Sequence, residues 1–198
     1  PKEGQPALKA PPVGALGSGS DYTAFLDHVG IPSLDMGLNG RGGDGTYHST
    51  YDNPTWFKKY IDPGFKYSVL AAQVTGVALL RLADADVLPF DYEAYGRQIL
   101  EYVGEIEELA AKTSADGAKQ IDFADLRAAA DAFTAAGVSA RARADALLSA
   151  PDAAAIARLN QTLMRVERDL IEPAGLPDRP WYRHVIYAPG LYTGYGVK

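Results

Sequence analysis

Hydrophobic and polar positions follow two regimes along this chain. Up to about residue 90, apolar residues come in short clusters separated by glycine and proline. From Asp91 onward they recur every three or four residues, the pattern of helices that each bury one stripe. Tyr95, Ile99, Tyr102, Ile106 and Leu109 make one stripe. A polar turn from Thr113 to Lys119 follows. Asp122, a good capping residue, then precedes a second stripe of Phe123, Leu126, Ala130 and Phe133. Pro151 opens another helix, in which Ile156, Leu159, Leu163, Val166 and Leu170 form a heptad seam. Abundant alanine favours helix here, and the stripes read as the core of a bundle. No unit of about 20–50 residues repeats, which argues against a solenoid.

The first regime is more varied. Pro1 to Gly19 is rich in Pro, Gly, Ala and Ser and reads as an irregular lead-in. Ser20 can cap a short helix with Asp21 in its first turn, Phe25, Leu26 and Val29 on its apolar face, and Gly30 as a left-handed end. Ile31 to Leu38 alternates and reads as a strand. A glycine-rich loop, GRGGDGTYHSTYD from Gly40 to Asp52, leads to His48. Asn53-Pro54 and Asp62-Pro63 each read as a helix start. The second of these helices, to about Asp84, is the most apolar in the chain and is expected to be a buried core helix. Gln73, Thr75 and Arg81 interrupt it, and it falls short of the roughly 20 apolar residues of a spanning helix. Leu88-Pro89-Phe90 breaks the pattern and marks a candidate domain boundary. Pro173 ends the last helix, and Trp181 to Ala188 reads as a strand. Two strands alone are marginal in water, so they imply a larger sheet supplied from elsewhere.

Composition narrows the classes. The chain has 198 residues, 47% hydrophobic and 22% charged, enough for one globular domain or one and part of another. A net charge of -6 disfavours nucleic acid and anionic membranes as partners. With no cysteine, disulfides, thiolate zinc sites and a cysteine nucleophile are excluded, while the compartment stays open. No signal peptide is visible, and the first residue is Pro1; a processed product or an excised piece is expected.

Candidate chemistry centres on three histidines. His28, beside Asp27 late in a short helix, reads as a solvated surface residue. His184, in a Tyr-Arg-His-Val-Ile-Tyr run, reads as a hydrogen-bonded structural residue. His48 differs in its setting, because glycines let backbone approach a ligand and Tyr47 and Tyr51 flank it. On spacing alone a structural role and a metal-ligand role are equally open. There is no HExxH, no GxSxG and no helical pair of histidines. A catalytic zinc needs three protein ligands, so one imidazole implies that the others come from elsewhere. The GSGSD run at 17–21 lacks the lysine of a phosphate loop and is better read as a helix cap.

Five segments, LGSGSDYTAFLDHVGI, TYHSTYDNP, IDPGFKYSVLAAQVTG, VLPFDYEAY and GLPDRPWYRHVIYAP, stand in one order along nearly the whole chain. Together they make it resemble the C-terminal part of the glutamate carboxypeptidase II and transferrin receptor family of zinc peptidases. The resemblance implies a mainly α chain: the C-terminal edge of an α/β zinc-peptidase domain (1–90), a helical-bundle dimerisation domain (91–172), and a tail (173–198) returning to the active-site cleft. It implies that His48 is a ligand to one of two zinc ions in the complete parent. It implies that Tyr47 hydrogen-bonds the tetrahedral intermediate, and that Ser18, Gly19 and Tyr195 line the substrate site. The remaining ligands and the general base would lie upstream, so the isolated chain should be inactive. The implied chemistry is zinc-assisted hydrolysis of a peptide, by a homodimer joined through the helical domain, secreted or membrane-anchored as relatives commonly are. Asp35 and Gly37 stand where the carboxypeptidase carries an arginine patch, and Gly194-Tyr195 where it carries Lys-Tyr. Peptides ending in glutamate are therefore not expected to be preferred. The alternative is a non-catalytic dimerisation module, as in the receptor branch.

Overall fold

The computed structural model describes residues 14–16, 19–38, 46–113 and 121–189. Within them the chain is helical: α1 (Tyr22–Val29), α2 (Pro54–Trp56) running into a π-helical turn (Phe57–Ile61), α3 (Lys66–Ala83), α4 (Tyr92–Thr113), α5 (Ala124–Ser149) and α6 (Ala153–Asp169). The chain divides into two compact units, residues 36–163 and residues 1–35 with 164–198. Among the described residues no helix is long and apolar enough to cross a membrane.

In the first unit α4 and α5 form an antiparallel hairpin. Asp91 starts α4 by accepting the N–H of Ala94 at 2.9 Å, and Arg141 of α5 pairs with the same carboxylate. That pairing, aided by the Ala94 N–H, outweighs partial burial and holds the Asp91 carboxyl below the usual range. Two glycines set the spacing. A Cβ on Gly96 would stand 2.8 Å from Thr134 Cα, and one on Gly137 would stand 2.4 Å from the Glu93 nitrogen. This close approach puts Tyr92, Gly96, Ile99 and Val103 inside. The expected stripe is thus displaced. Ile99 is buried, but Ile106 and Leu109 are 48% and 58% exposed because the glycine contact turns a neighbouring line of α4 inward. Phe133 meets Tyr92 and Tyr95 edge-on, and Arg127 pairs with Glu107 further along the hairpin.

The break at Leu88-Pro89-Phe90 is fastened by one side chain. Asn160 of α6 accepts the N–H of Leu88 at 2.9 Å and donates to Asp86 O at 2.8 Å, while Tyr92 Oη donates to Leu163 O at 2.7 Å. Asp152 caps α6 through the N–H groups of Ala154 and Ala155.

The helix expected from Pro63 begins instead at Lys66. Asp62 lies outside it and accepts from the N–H groups of Tyr67 and Ser68 and the Ser68 hydroxyl, leaving Pro63 and Gly64 in a turn. Burial works against the charge of Asp62, yet these bonds outweigh it and hold the carboxyl below its usual range. None of the residues of α3 is buried. The expectation of a core helix is not met within this unit. Val69, Leu70, Val74, Val77, Leu79, Leu80 and Leu82 are between 42% and 71% exposed.

The second unit brings together α1, the last turns of α6 and the segment that follows. Gly30 ends α1 in the left-handed region at φ 65°, as expected; Asp21 rather than Ser20 is the N-terminal boundary, without a side-chain cap. A Cβ on Gly30 would stand 2.8 Å from Arg168 Cα, so only glycine lets α1 lie on α6 here. The two expected strands do not form. Residues 31–38 are irregular, and Pro32 offers no N–H to a ladder. In 181–188 the backbone N–H groups go to the ends of α1 and α6 and to a histidine ring, leaving one isolated bridge, Ile171 with His184.

Candidate functional site

The loop around His48 is a tight, self-bonded turn. Ser49 N–H and Oγ donate to Thr46 O at 2.9 and 2.7 Å, and Ser49 Oγ accepts the N–H of Tyr51 at 3.2 Å. Asn53 Nδ2 donates to Thr50 O at 2.9 Å, and Asn53 Oδ1 accepts the N–H of Trp56, capping α2 as its Asn-Pro pair predicts. His48 sits within this frame at φ 58°, a left-handed conformation uncommon for a residue with a Cβ. Its side chain is exposed, and its ring stacks on Tyr47 at 3.8 Å between centroids. Tyr47 is 69% exposed. The residues that follow line a shallow hollow of about 330 Å³: Asp52, Asn53, Pro54, Phe57, Lys58 and Phe65. Tyr51, Trp56 and Tyr60 make successive tilted ring contacts, 5.0 and 4.5 Å between centroids.

An exposed imidazole next to a phenol can offer a metal one nitrogen and a substrate one hydroxyl. Among the described residues no group of three His, Asp or Glu side chains could hold a metal ion. His48 and Tyr47 are together. Gly19 is exposed at φ 113° and belongs to the other unit. Ser18 and Tyr195 lie outside the described residues, as does Gly194. Asp35 and Gly37 are exposed in the irregular segment after α1.

The other two histidines also have definite places. His28 is half-buried, not freely solvated: Trp181 meets it edge-on at 5.2 Å and Tyr182 stacks at 5.7 Å. His184 is fully buried and hydrogen-bonded, as its setting in the sequence suggests. Its Nδ1 accepts the N–H groups of Ile186 and Tyr187 at 3.1 and 2.9 Å. In the neutral ring the hydrogen is therefore on Nε2, which lies 2.7 Å from Glu167 Oε1 and donates to it. Asp27, adjacent to His28, is a group the sequence reading passed over. It is fully buried, and its two carboxyl oxygens and the hydroxyl of Thr23 have no hydrogen-bond partner. Its backbone carbonyl accepts the N–H groups of Arg183 and His184. Burial raises its carboxyl to about 6, and the nearby His184 offsets part of that rise. The i, i+4 spacing of Thr23 and Asp27 beside the buried Leu26 was the available signal.

Residues 121–198 match the model of the transferrin receptor-like dimerisation domain. Over 92% of its length the chain is 40% identical to a "Probable glutamate carboxypeptidase" of Arthroderma benhamiae and 37% identical to one of Arabidopsis thaliana. Over 90% it is 31% identical to the aminopeptidase NAALADL1 of Rattus norvegicus. In each case it spans about a quarter of the relative's length (25%).

Proposed function

We propose, from the premise that this chain corresponds to a segment of the transferrin receptor-like peptidases, that it supplies one metal ligand, part of the substrate cleft and the dimerisation helices of a zinc exopeptidase. The observation that carries this reading is His48: an exposed imidazole held in an uncommon backbone conformation by a braced turn. Such strain persists where the surroundings fix it, and it concentrates at functional sites. The fit to zinc is that of one nitrogen donor in a set completed by other polypeptide. Zinc, when bound, supplies Lewis acidity and an activated water. His48 orients that ion relative to the turn. Tyr47, stacked on His48, carries a hydroxyl that can donate to an oxyanion developing beside the ion. Ser18, Gly19 and Tyr195 belong to the substrate cleft in this reading, and residues 91–172 form the homodimer. Asp35, Gly37 and Gly194 stand where cationic groups would hold a terminal glutamate, so peptides ending in glutamate are not the preferred substrates.

α3 fits the same reading. A helix apolar all round is stable only when enclosed, and α3 exposes large apolar side chains on every side within this unit. The peptidase domain of the longer protein is the cover.

The test is made in the full-length parent. Tyr47→Phe should lower kcat by about 10²–10³ with zinc retained, the usual cost of one oxyanion donor. His48→Ala should lower zinc content and activity together. Full zinc and full activity in His48→Ala would end the proposal. The second reading, a dimerisation module without chemistry, draws on the match of residues 121–198 and on the single imidazole. It predicts a parent that dimerises yet binds no zinc at all.

A further inference from the structure

The junction of α1, α6 and the C-terminal segment holds a buried acid that the proposed chemistry does not use. Three elements meet at His184. α6 reaches it through Glu167, and Val185 N–H donates to Leu170 O at 2.9 Å just after that helix. α1 reaches it through Asp27 O, which takes the N–H groups of Arg183 and His184 at 3.1 and 3.2 Å. The segment itself closes onto the ring through the N–H groups of Ile186 and Tyr187. Each of these bonds uses backbone or imidazole, and none satisfies the Asp27 carboxyl.

We propose that Asp27 is a protonation switch for this junction: as a carboxylic acid it leaves the C-terminal segment closed on α1, and as a carboxylate it loosens that segment.

The reason is local. Beside Asp27 stand Arg183 and His184, whose backbone N–H groups its carbonyl accepts, Glu167 of α6 on the far nitrogen of the His184 ring, and the chain neighbour His28. His184 acts as a counter-ion only when protonated, and a hydrogen on Nδ1 would then face the two N–H groups that Nδ1 now accepts. Its Nε2–H is committed to Glu167. Arg183 is exposed, so its charge is solvated rather than turned inward. In the structure an ionised Asp27 has no hydrogen-bond donor, the Thr23 hydroxyl one turn away being unpaired as well, and it must be reached by water. The shortest route is for residues 183–187 to lift from the end of α1. Burial that favours the neutral acid points the same way.

The inference is independent of the peptidase reading, and its test uses the 198-residue chain. Hydrogen exchange of the Arg183, His184, Val185, Ile186 and Tyr187 amides is measured at pH 5 and pH 7.5 and corrected for intrinsic rates. Protection should be about tenfold greater at pH 5, the equivalent of one pKa unit of coupling. In Asp27→Asn, which keeps the shape without the charge, protection should be equal at the two pH values. No pH dependence in the wild type, or the same dependence in Asp27→Asn, would overturn the proposal. A carbon-13 titration of the Asp27 carboxyl in the wild type decides the matter even where the variant does not fold. A midpoint near 6 supports the switch, and one near 4 rejects it.

Discussion

Single residues carry the energetics of the C-terminal junction. The raised carboxyl of Asp27 means that the folded chain binds a proton more tightly than the unfolded chain, whose aspartate titrates near 3.8. Stability attributable to Asp27 is therefore greatest below about pH 4. It falls as pH rises toward 6 and is level above that. Urea unfolding should thus show a midpoint that falls more from pH 5 to pH 7.5 in the wild type than in Asp27→Asn. Asp27→Asn should raise stability at pH 7.5 by about 1–2 kcal/mol, less than the full pKa shift because the new amide also lacks partners. Asp62 and Asp91, with lowered carboxyls, act in the opposite direction, but only as pH falls through and below about 3.8. Neither acts between pH 5 and 7.5, and the share of Asp27 in that window is the part of the pH dependence that Asp27→Asn removes. His184→Ala removes the acceptor of two part-buried N–H groups and one partner of the Glu167 carboxylate. A loss of roughly 3–5 kcal/mol is expected in the same unfolding experiment.

Elements follow from their ends and their smallest residues. Asn53-Pro54 predicts α2 and forms it, with Asn53 as a working cap, so Asn53→Ala should cost about 1 kcal/mol. Gly30 predicts the end of α1, and its φ of 65° bears that out. Gly96 and Gly137 carry a message that periodicity does not contain. They decide which line of α4 faces α5. Gly137→Ala forces a methyl into the backbone at Glu93. It should lower thermal stability by several degrees, equivalent to about 1–3 kcal/mol of overpacking. Strand patterns at 31–38 and 181–188 failed for a related reason. A strand is a partnership, and in the described structure those amides have other partners or none in a ladder.

At the scale of the whole molecule, the largest mismatch between sequence and surroundings is α3. Its composition is that of an interior helix, yet none of its residues is buried. The isolated chain should bind a hydrophobic dye and self-associate, and Val77→Lys with Leu80→Lys should suppress both without altering helix content. Zinc titration of the same chain should show no tight stoichiometric site, since among the described residues no group of three metal-ligating side chains forms. What the sequence settled by itself was local: the Asn53 cap, the glycine end of α1, the presence of helices α4 to α6, and the resemblance carried by its ordered motifs. These depend on neighbours within a few positions, which the chain spells out. Which line of α4 is buried, where 181–188 sends its amides, and the isolation of the Asp27 carboxyl were decided only in three dimensions. Each depends on residues far apart in sequence, and their approach is set by packing and by the absence of a Cβ rather than by any periodic pattern.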